Sequence, residues 1–562
     1  MTTSAVPYAA LVLILGGMLL PMLRGAFRAP AVLLLPVAAL YFIWTVPEGA
    51  VATVHFLDYE LTPVRPDRLG RLFATVFAIM AFGGGLFALK QKTMELVAAF
   101  LYAGSAIGAA MAGDLVTLFV FWEVMAIGST LVLWSAGTEG AYRASQRYLM
   151  IHLFGGVVLM AGIAGQVALT GSIAFERMDL SLWPQWLILT GFLVNAGGPP
   201  LSAWLPDAYP EASYSGAVFL SAFTTKTAVY VLLWGFAGNK ILVVLGLIMV
   251  FYGIIYALLE NDMRRILAYS IVNQVGFMVT GAGLGTELAV NGAAAHAFTH
   301  IIYKALLLMS AGSVLYATGR RKCTDLGGLF QSMPLTTVCG IIGALSISAF
   351  PLTSGFVSKS MISQAAADAH LLWVWLLLAS ASAGVFLHAG IKFPWFVFFQ
   401  KDSGLRPPDP PLNMRLAMVL FSFLCIAIGV FPAPLYALLP YPVDYVPYTG
   451  EHVLSQLQLL LFSGLAFFVM LDRYLQRTLT ISLDFDWFYR RFGPAIARVV
   501  VGGGFLSWEA GLRSMGTAVR STLAYLYRHH GPQGLLARTW PTGSMVMWVA
   551  VLLASYLVSY YL

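Results

Sequence analysis

Apolar runs of about 20 residues, the length that crosses the hydrocarbon core of a bilayer, recur along almost the whole chain. They lie near 7–23, 29–45, 70–89, 95–112, 114–136, 146–170, 183–208 and 214–236, then near 240–260, 265–285, 289–318, 334–366, 370–397, 413–432, 453–473 and 543–562. The pattern predicts sixteen membrane-spanning helices. Two of them are interrupted at their centres, one at Asn195-Ala-Gly-Gly-Pro-Pro-Leu201 and the other at Ser348-Ala-Phe-Pro-Leu-Thr-Ser-Gly355. Proline removes a helix hydrogen bond and glycine relaxes the backbone. Groups freed at membrane depth persist only where protein or water satisfies them. Either break alone reads as a packing kink. Together, five spans apart and with opposite chain directions, they resemble corresponding positions of an inverted repeat of the kind many transporters use.

After the fifteenth run the pattern changes. From about Tyr474 to Trp540 the chain is rich in Arg, poor in long apolar runs, and carries the motif LDFDWFYRRFGP at 483–494. It is too polar to span, so helices lying along the membrane surface or along a partner are expected on the cytoplasmic side. The predicted organisation is a transmembrane core over 1–473, a lateral helical segment over 474–541 and a C-terminal anchor over 542–562.

Composition excludes a soluble globule: 59% of the residues are hydrophobic and only 10% charged, against about 25% charged in soluble domains. The net charge of +7 does not point to nucleic acid, because Lys and Arg lie in short loops between apolar runs, where they set topology. Alternate loops carry Arg24 and Arg28, Lys90 and Lys92, Arg143 and Arg147, Arg264 and Arg265, then Arg320, Arg321 and Lys322. These are expected to be cytoplasmic. The opposite set is acidic or neutral, with Glu48, Asp58, Glu60 and a Pro-rich stretch ending at Glu451, which places both termini outside. The first apolar run has no basic residue before it and no small-residue cleavage site after it, and reads as a retained span. Cys323, Cys339 and Cys425 are too few and too scattered for a disulfide framework or a Cys-based metal site.

Against this background a few ionisable residues stand out. His296, His300 and Lys304 follow one another at intervals of four inside an apolar run. Such positions are about 6 Å apart along a helix and drift about 40° around it, giving a polar stripe of roughly 12 Å. A charge at the bilayer centre costs about 2.5–3.5 kcal/mol on insertion scales, so the stripe belongs against protein or a wet cavity. Glu123 lies in LFVFWEVMAIGS and Lys226 in SAFTTKTAVY, each in the middle of a span. A buried carboxylate needs a cation or a proton, and Lys226 is a candidate to couple to Glu123. A static ion pair between two helices is the plainer reading of Glu123. Lys359, just after the second break, extends the path outward. His152, His388 and Lys392 are weaker candidates, and Lys392 near a helix end reads first as an interface anchor. The pair His296 and His300 shares a face that suits a metal, but no HExxH glutamate accompanies it and a charged Lys304 would repel the ion. No metal is expected. No GxGxxG fingerprint, nucleophile elbow or Cys-rich cluster supports cofactor chemistry, so neither a cofactor nor catalytic chemistry of the chain's own is expected.

Taken together, FWEVMAIGS around Glu123, WLPDAYPEA at 204–212, TTKTAVY around Lys226, NDMRRILAYSIVNQVGFM at 261–278 and HAFTHIIYKALL from His296 resemble the proton-conducting antiporter-like subunits of respiratory complex I and its relatives. Within that superfamily the chain is most similar to the D-type subunits of Mrp-type multisubunit Na⁺/H⁺ antiporters. The resemblance runs over roughly residues 70–440. It implies an all-α polytopic membrane protein of about fourteen core helices, with two inverted five-helix repeats that each supply a broken helix and half of a hydrated proton path. It also implies other membrane subunits as partners. By motif, Glu123 matches the family's glutamate, Lys226 the lysine of the following unbroken helix, Lys304 the central lysine and Lys359 the lysine after the second break, while His296 and His300 match bridging histidines. One position departs: nine residues before Trp204 the family usually carries a lysine that pairs with the glutamate, and here it is Asn195. The tail resembles the lateral helix and anchor of the largest such subunit in complex I.

The expected function is therefore a proton-translocating subunit of a multisubunit monovalent cation/proton antiporter in a bacterial cytoplasmic membrane, with H⁺ and Na⁺ as candidate ions. Its relay would be Glu123, Lys226, His296, His300, Lys304 and Lys359, with His152, Asn195, His388 and Lys392 as auxiliaries. Two alternatives stand beside it. The same relay would serve a redox complex, a hydrogenase or quinone reductase, or an inorganic-carbon uptake partner; or Asn195 marks a largely structural scaffold subunit.

Overall fold

Each predicted apolar run is mostly helical over its described residues in the computed structural model, which describes residues 9–23, 25–49, 52–471, 475–477, 483–531, 534 and 541–562. Arg24 in the first basic loop, and Tyr474 and Trp540 at the ends of the lateral segment, lie outside the described residues. The chain begins with α1 (Ala9–Leu19), α2 (Arg28–Thr45), a hairpin of β1 (Ala52–Phe56) and β2 (Tyr59–Val64), α3 (Arg68–Phe87), α4 (Thr93–Met111), α5 (Leu115–Trp134) and α6 (Glu139–Thr170). The first broken span is α7 (Trp183–Ala196) followed by α8 (Trp204–Ala208). Then come α9 (Gly216–Leu220), α10 (Thr224–Gly235), α11 (Ile241–Leu259), α12 (Met263–Leu284) and α13 (Glu287–Thr318). The second broken span is α14 (Pro334–Ile347) with α15 (Ser354–Asp368), and α16 (Leu372–Val385) runs on in π-helical turns to Phe399. α17 (Leu412–Val430), the short α18 (Ala433–Tyr436) and α19 (Gly450–Met470) complete the core.

Thirteen helices among the described residues are long and apolar enough to cross a membrane, against the sixteen expected, because α1, α7 and α14 are only 11, 14 and 14 residues long; the protein is a multi-pass membrane protein. Helix starts follow local chemistry. Asp67, Asp114, Thr138, Asp262, Thr286 and Thr449 each accept a hydrogen bond from a first-turn amide of α3, α5, α6, α12, α13 and α19 respectively, satisfying donors the helix cannot. The antiparallel β1–β2 hairpin was not expected from the sequence. It is fastened to α5 because Asp114, besides capping that helix, accepts from Thr62 N at 2.7 Å.

The two predicted breaks are present. α7 stops at Gly197, whose φ of +77° is the left-handed conformation glycine adopts without strain. The second break instead places Ala349 and Leu352 at φ +55° and +67°, a conformation that costs L-residues about 1–3 kcal/mol each. The span carrying Lys226 is not unbroken as the resemblance implied: it is interrupted between α9 and α10. The Tyr102 hydroxyl from α4 accepts from Thr224 N at 2.9 Å, and the Lys226 ammonium donates to Ser221 O at 2.5 Å. These two groups satisfy Thr224 N and Ser221 O, two of the backbone groups at the interruption.

Ion pairs gather at the end of the bundle that carries the basic loops. Arg147 grips Asp207 in a two-pronged bond of 2.7 and 2.8 Å, and Arg321 reaches both Glu211 and Asp262 at 2.9 Å. Arg264 donates to the carbonyls of Pro210, Ala212 and Ser213. The acidic residues of WLPDAYPEA thus lock the first broken span to α6 and to the loop after α13. Deepest in the bundle are α9, α10 and α12, wholly buried along their spanning windows.

The chain divides into two compact units, 1–486 and 487–562. The second comprises a π-helical turn at Phe488–Phe492, the 38-residue α20 (Gly493–His530) and α21 (Thr542–Tyr561), whose spanning window contains no buried residue.

Candidate functional site

α13 is one uninterrupted helix of 32 residues, so His296, His300 and Lys304 do form the continuous stripe their spacing predicts. All three are fully buried. His296 stands in a polar cluster drawn from three helices: its Nε2 lies 3.1 Å from Gln274 Oε1 on α12 and its Nδ1 3.2 Å from Ser358 Oγ on α15. Tyr303 donates to the same Gln274 oxygen at 3.1 Å, and Thr299 and Ser358 share a hydroxyl bond of 2.8 Å. By contrast, both nitrogens of His300 and the Nζ of Lys304 have no protein partner among the described residues. Buried groups of this kind need water or a transferable proton.

The lysines surround this stripe. Lys226 is fully buried and bonds Ser221 O and, at 3.1 Å, Thr225 Oγ1. His300 lies within electrostatic reach of Lys226 and Lys304, and His296 within reach of Lys359 and Lys226. His388 in turn is within reach of Lys304, Lys392 and Lys359. α10, α13, α15 and the π-helical end of α16 therefore bring Lys226, the two histidines, Lys304, Lys359 and His388 into one polar line.

At its outer end this line opens into space. Lys359, 2% exposed, has no hydrogen-bond partner among the described residues and sits 4.4 Å from the Phe277 ring centroid, a cation–π contact. It borders a cavity of about 250 Å³. That cavity shares Gln364, Trp375, Tyr445, His452 and Ser455 with a vestibule of about 880 Å³ whose rim holds Glu287, Asp368, Asp444 and Glu451. Sequence reasoning had no means of finding this mouth, because its four carboxylates come from the start of α13, the end of α15, the loop after α18 and the first turn of α19.

The other end is arranged differently from expectation. Glu123 on α5 is half-buried; among the described residues its Oε1 has no protein hydrogen-bond partner and it forms no ion pair with Lys226, Lys226 being spent on Ser221 and Thr225. Its carboxyl instead lies against α6, where a Cβ on Gly156 would come within 2.1 Å of Oε1. Asn195 bonds His152, Oδ1 to Nδ1 at 2.8 Å. Glu95 on α4 escaped the sequence reading. It is buried and accepts from Ser213 at 2.8 Å, Ser135 at 3.2 Å and Ser215. The only signal was its place in the first turn of a span, which looks like an ordinary helix-start charge. Lys392 is 3% exposed and does not reach for the membrane surface. Its ammonium donates to Ala257 O, Leu258 O and Glu260 O at 3.1, 2.5 and 2.6 Å, closing the carbonyl end of α11.

Residues 112–385 match the family model described as "NADH:quinone oxidoreductase/Mrp antiporter, TM". The chain is 32% identical over 320 residues to the D-type subunit of the Na(+)/H(+) antiporter of Alkalihalophilus pseudofirmus, an alignment covering 51% of this chain and 64% of that relative. It therefore spans less than two thirds of that protein's length. It is 30% identical over 354 residues to the N-type subunit of the NADH-quinone oxidoreductase of Desulforudis audaxviator, covering 58% of this chain and 70% of that one. Its fold matches a chain of the membrane-bound sulfane sulfur reductase, an archaeal respiratory membrane complex, with a TM-score of 0.72 and 24% identity over 98% of this chain and 99% of the other. With its broken spans, its buried lysine line and these matches, the chain belongs to the family of membrane subunits shared by NADH:quinone oxidoreductases and Mrp antiporters.

Proposed function

We propose that the chain is a proton-translocating subunit of a multisubunit monovalent cation/proton antiporter, lying in a bacterial cytoplasmic membrane with both termini on the outer side. The observation that carries this reading is the buried line of Lys226, His300, Lys304, His296 and Lys359, which leads to a cavity behind an acidic mouth. Buried amines and imidazoles without carboxylate partners bind a proton only transiently. Like charges within reach disfavour simultaneous protonation of neighbours, so a proton entering at one end favours release at the other. The acidic rim concentrates cations at the exit. Glu123 receives or supplies protons at the opposite side of the core. The core over 1–473 carries the path, the stretch 474–541 is a lateral tie to other membrane subunits, and 542–562 anchors it.

The test is to reconstitute the intact complex in liposomes holding a pH dye and impose a Na⁺ gradient. Internal pH should move against the gradient. A second reading, in which a redox module powers the same proton path, is favoured by the near full-length match to the sulfane sulfur reductase chain. It is adopted if the Na⁺ gradient is silent while electron donor and acceptor drive the pH change. Silence to both drivers removes the proton-conducting reading.

A further inference from the structure

Near the Glu123 carboxyl lies a buried imidazole that the sequence marks only as an auxiliary and that the path proposed above does not use. His152, 1% exposed, sits in the middle of α6 with Nδ1 2.8 Å from Asn195 Oδ1. An amide oxygen only accepts, so Nδ1 carries the hydrogen and Nε2 of the neutral ring is left as an acceptor. That Nε2 is buried without a protein partner among the described residues. One turn along the same face of α6, about 6 Å away, is Gly156, whose missing Cβ makes the room that the Glu123 carboxyl fills.

On its other side the ring meets Tyr148, 4.0 Å between centroids. The Tyr148 hydroxyl donates to Ser129 at 2.9 Å and lies 3.4 Å from Thr224 Oγ1. Thr224 is joined by Tyr102 at 2.6 Å and is followed by Thr225, which bonds Lys226. Hydroxyls thus bridge from the imidazole toward the lysine, and a carboxylate stands one turn behind it. The other groups on the elements packed around His152 are Asn195 from α7, and Trp204 and Asp207 from α8, the latter gripped by Arg147. Tyr209 and Glu211 come from the turn that follows, with the Tyr209 ring packed on Trp204.

We infer that His152, oriented by Asn195, is the proton-carrying group of the N-terminal half of the path. The inference rests on the proton-conducting reading. A proton leaving the Glu123 carboxyl adds to Nε2 through water while Nδ1 keeps its own, and the resulting imidazolium is balanced by the carboxylate one turn away. Release of the Nε2 proton along Tyr148 and Thr224 toward Lys226 restores the neutral ring with its bond to Asn195 unchanged. Asn195 holds no proton itself and acts as a positioning residue.

The experiment compares proton flux in liposomes for the intact complex carrying H152Q, the double variant H152Q/N195K, and K304A as control, each across a range of pH. H152Q should assemble and lose at least tenfold in flux. H152Q/N195K, which returns a protonatable group to the same junction, should recover most of the flux with a pH profile displaced from that of the native complex. If K304A is silent but H152Q conducts at the native rate, this inference fails and the proton-conducting reading stands. Native flux in K304A as well overturns that reading itself. Should H152Q not assemble, the double variant decides: recovered assembly and flux support the inference, and loss of either overturns it.

Discussion

The segment that leaves the core is clasped at Asp484, and loosening that clasp gives a prediction whose size follows from the structure. The carboxylate, 6% exposed, accepts from Tyr252 at 2.7 and 2.9 Å and from Tyr269 at 2.6 Å. Tyr256 donates to the adjacent Leu483 O at 2.9 Å. The clasp therefore joins this stretch to both α11 and α12. Two hydroxyl bonds to a charged acceptor, at about 1.5–3 kcal/mol each, contribute about 3–6 kcal/mol to docking. D484A removes both and leaves two largely buried phenols without their acceptor; the Leu483 bond remains, so a loss of about 3–5 kcal/mol is expected. D484N keeps an acceptor oxygen but no charge, for a loss of about 2 kcal/mol. At about 1.4 kcal/mol per tenfold in an equilibrium, the local opening population should rise about a hundredfold to a few thousandfold in D484A and roughly tenfold to thirtyfold in D484N. Hydrogen exchange of amides 483–487 in the assembled complex reads this directly, because exchange there follows local opening. Rates within threefold of the native protein in D484A would refute the clasp.

Three further outcomes are expected. G156A, whose new Cβ would come within 2.1 Å of Glu123 Oε1, displaces only the end of a flexible side chain, so the complex should assemble while proton flux drops several-fold; unchanged flux would show that the carboxyl's position there is unimportant. Burial raises the Asp67 carboxyl from its ordinary 3.8 to about 6, against the opposing pull of the Gly70 amide and Arg65. The folded protein then holds more protons than the unfolded chain between those values, and this residue's contribution to stability falls as pH rises from about 4 through 6. D67N should remove that part of the slope in thermal unfolding, and identical slopes would contradict it. Burial likewise pushes the Cys323 thiol up to about 12, so at pH 8 it should resist maleimide until the protein unfolds; rapid labelling of the folded complex at this residue would show it to be accessible.

What the sequence makes legible here is whatever the bilayer dictates one segment at a time. A span needs an apolar run of fixed length, a break needs Pro or Gly, and a lone charge in such a run is conspicuous; sixteen runs, the breaks at 195–201 and 348–355, and Lys304 with its histidines follow from those rules. What depends on a second segment is not legible. The interruption before Lys226 has no Pro or Gly at Ser221-Ala222-Phe223 and is satisfied in part by Tyr102 from another helix. The Asn195–His152 bond pairs two residues 43 positions apart. Gln274, Tyr303 and Ser358 are neutral, so nothing marks them until α12, α13 and α15 meet at His296. Glu95 looks like a helix-start charge until three serines enclose it.

The most direct test of the account is proton flux through liposomes holding equal amounts of assembled native and K304A complex. Lys304 is fully buried, has no protein partner for its ammonium among the described residues and stands at the centre of the line. The account predicts that K304A falls to the leak of protein-free liposomes while keeping all its subunits. Native flux from an assembled K304A complex would contradict it.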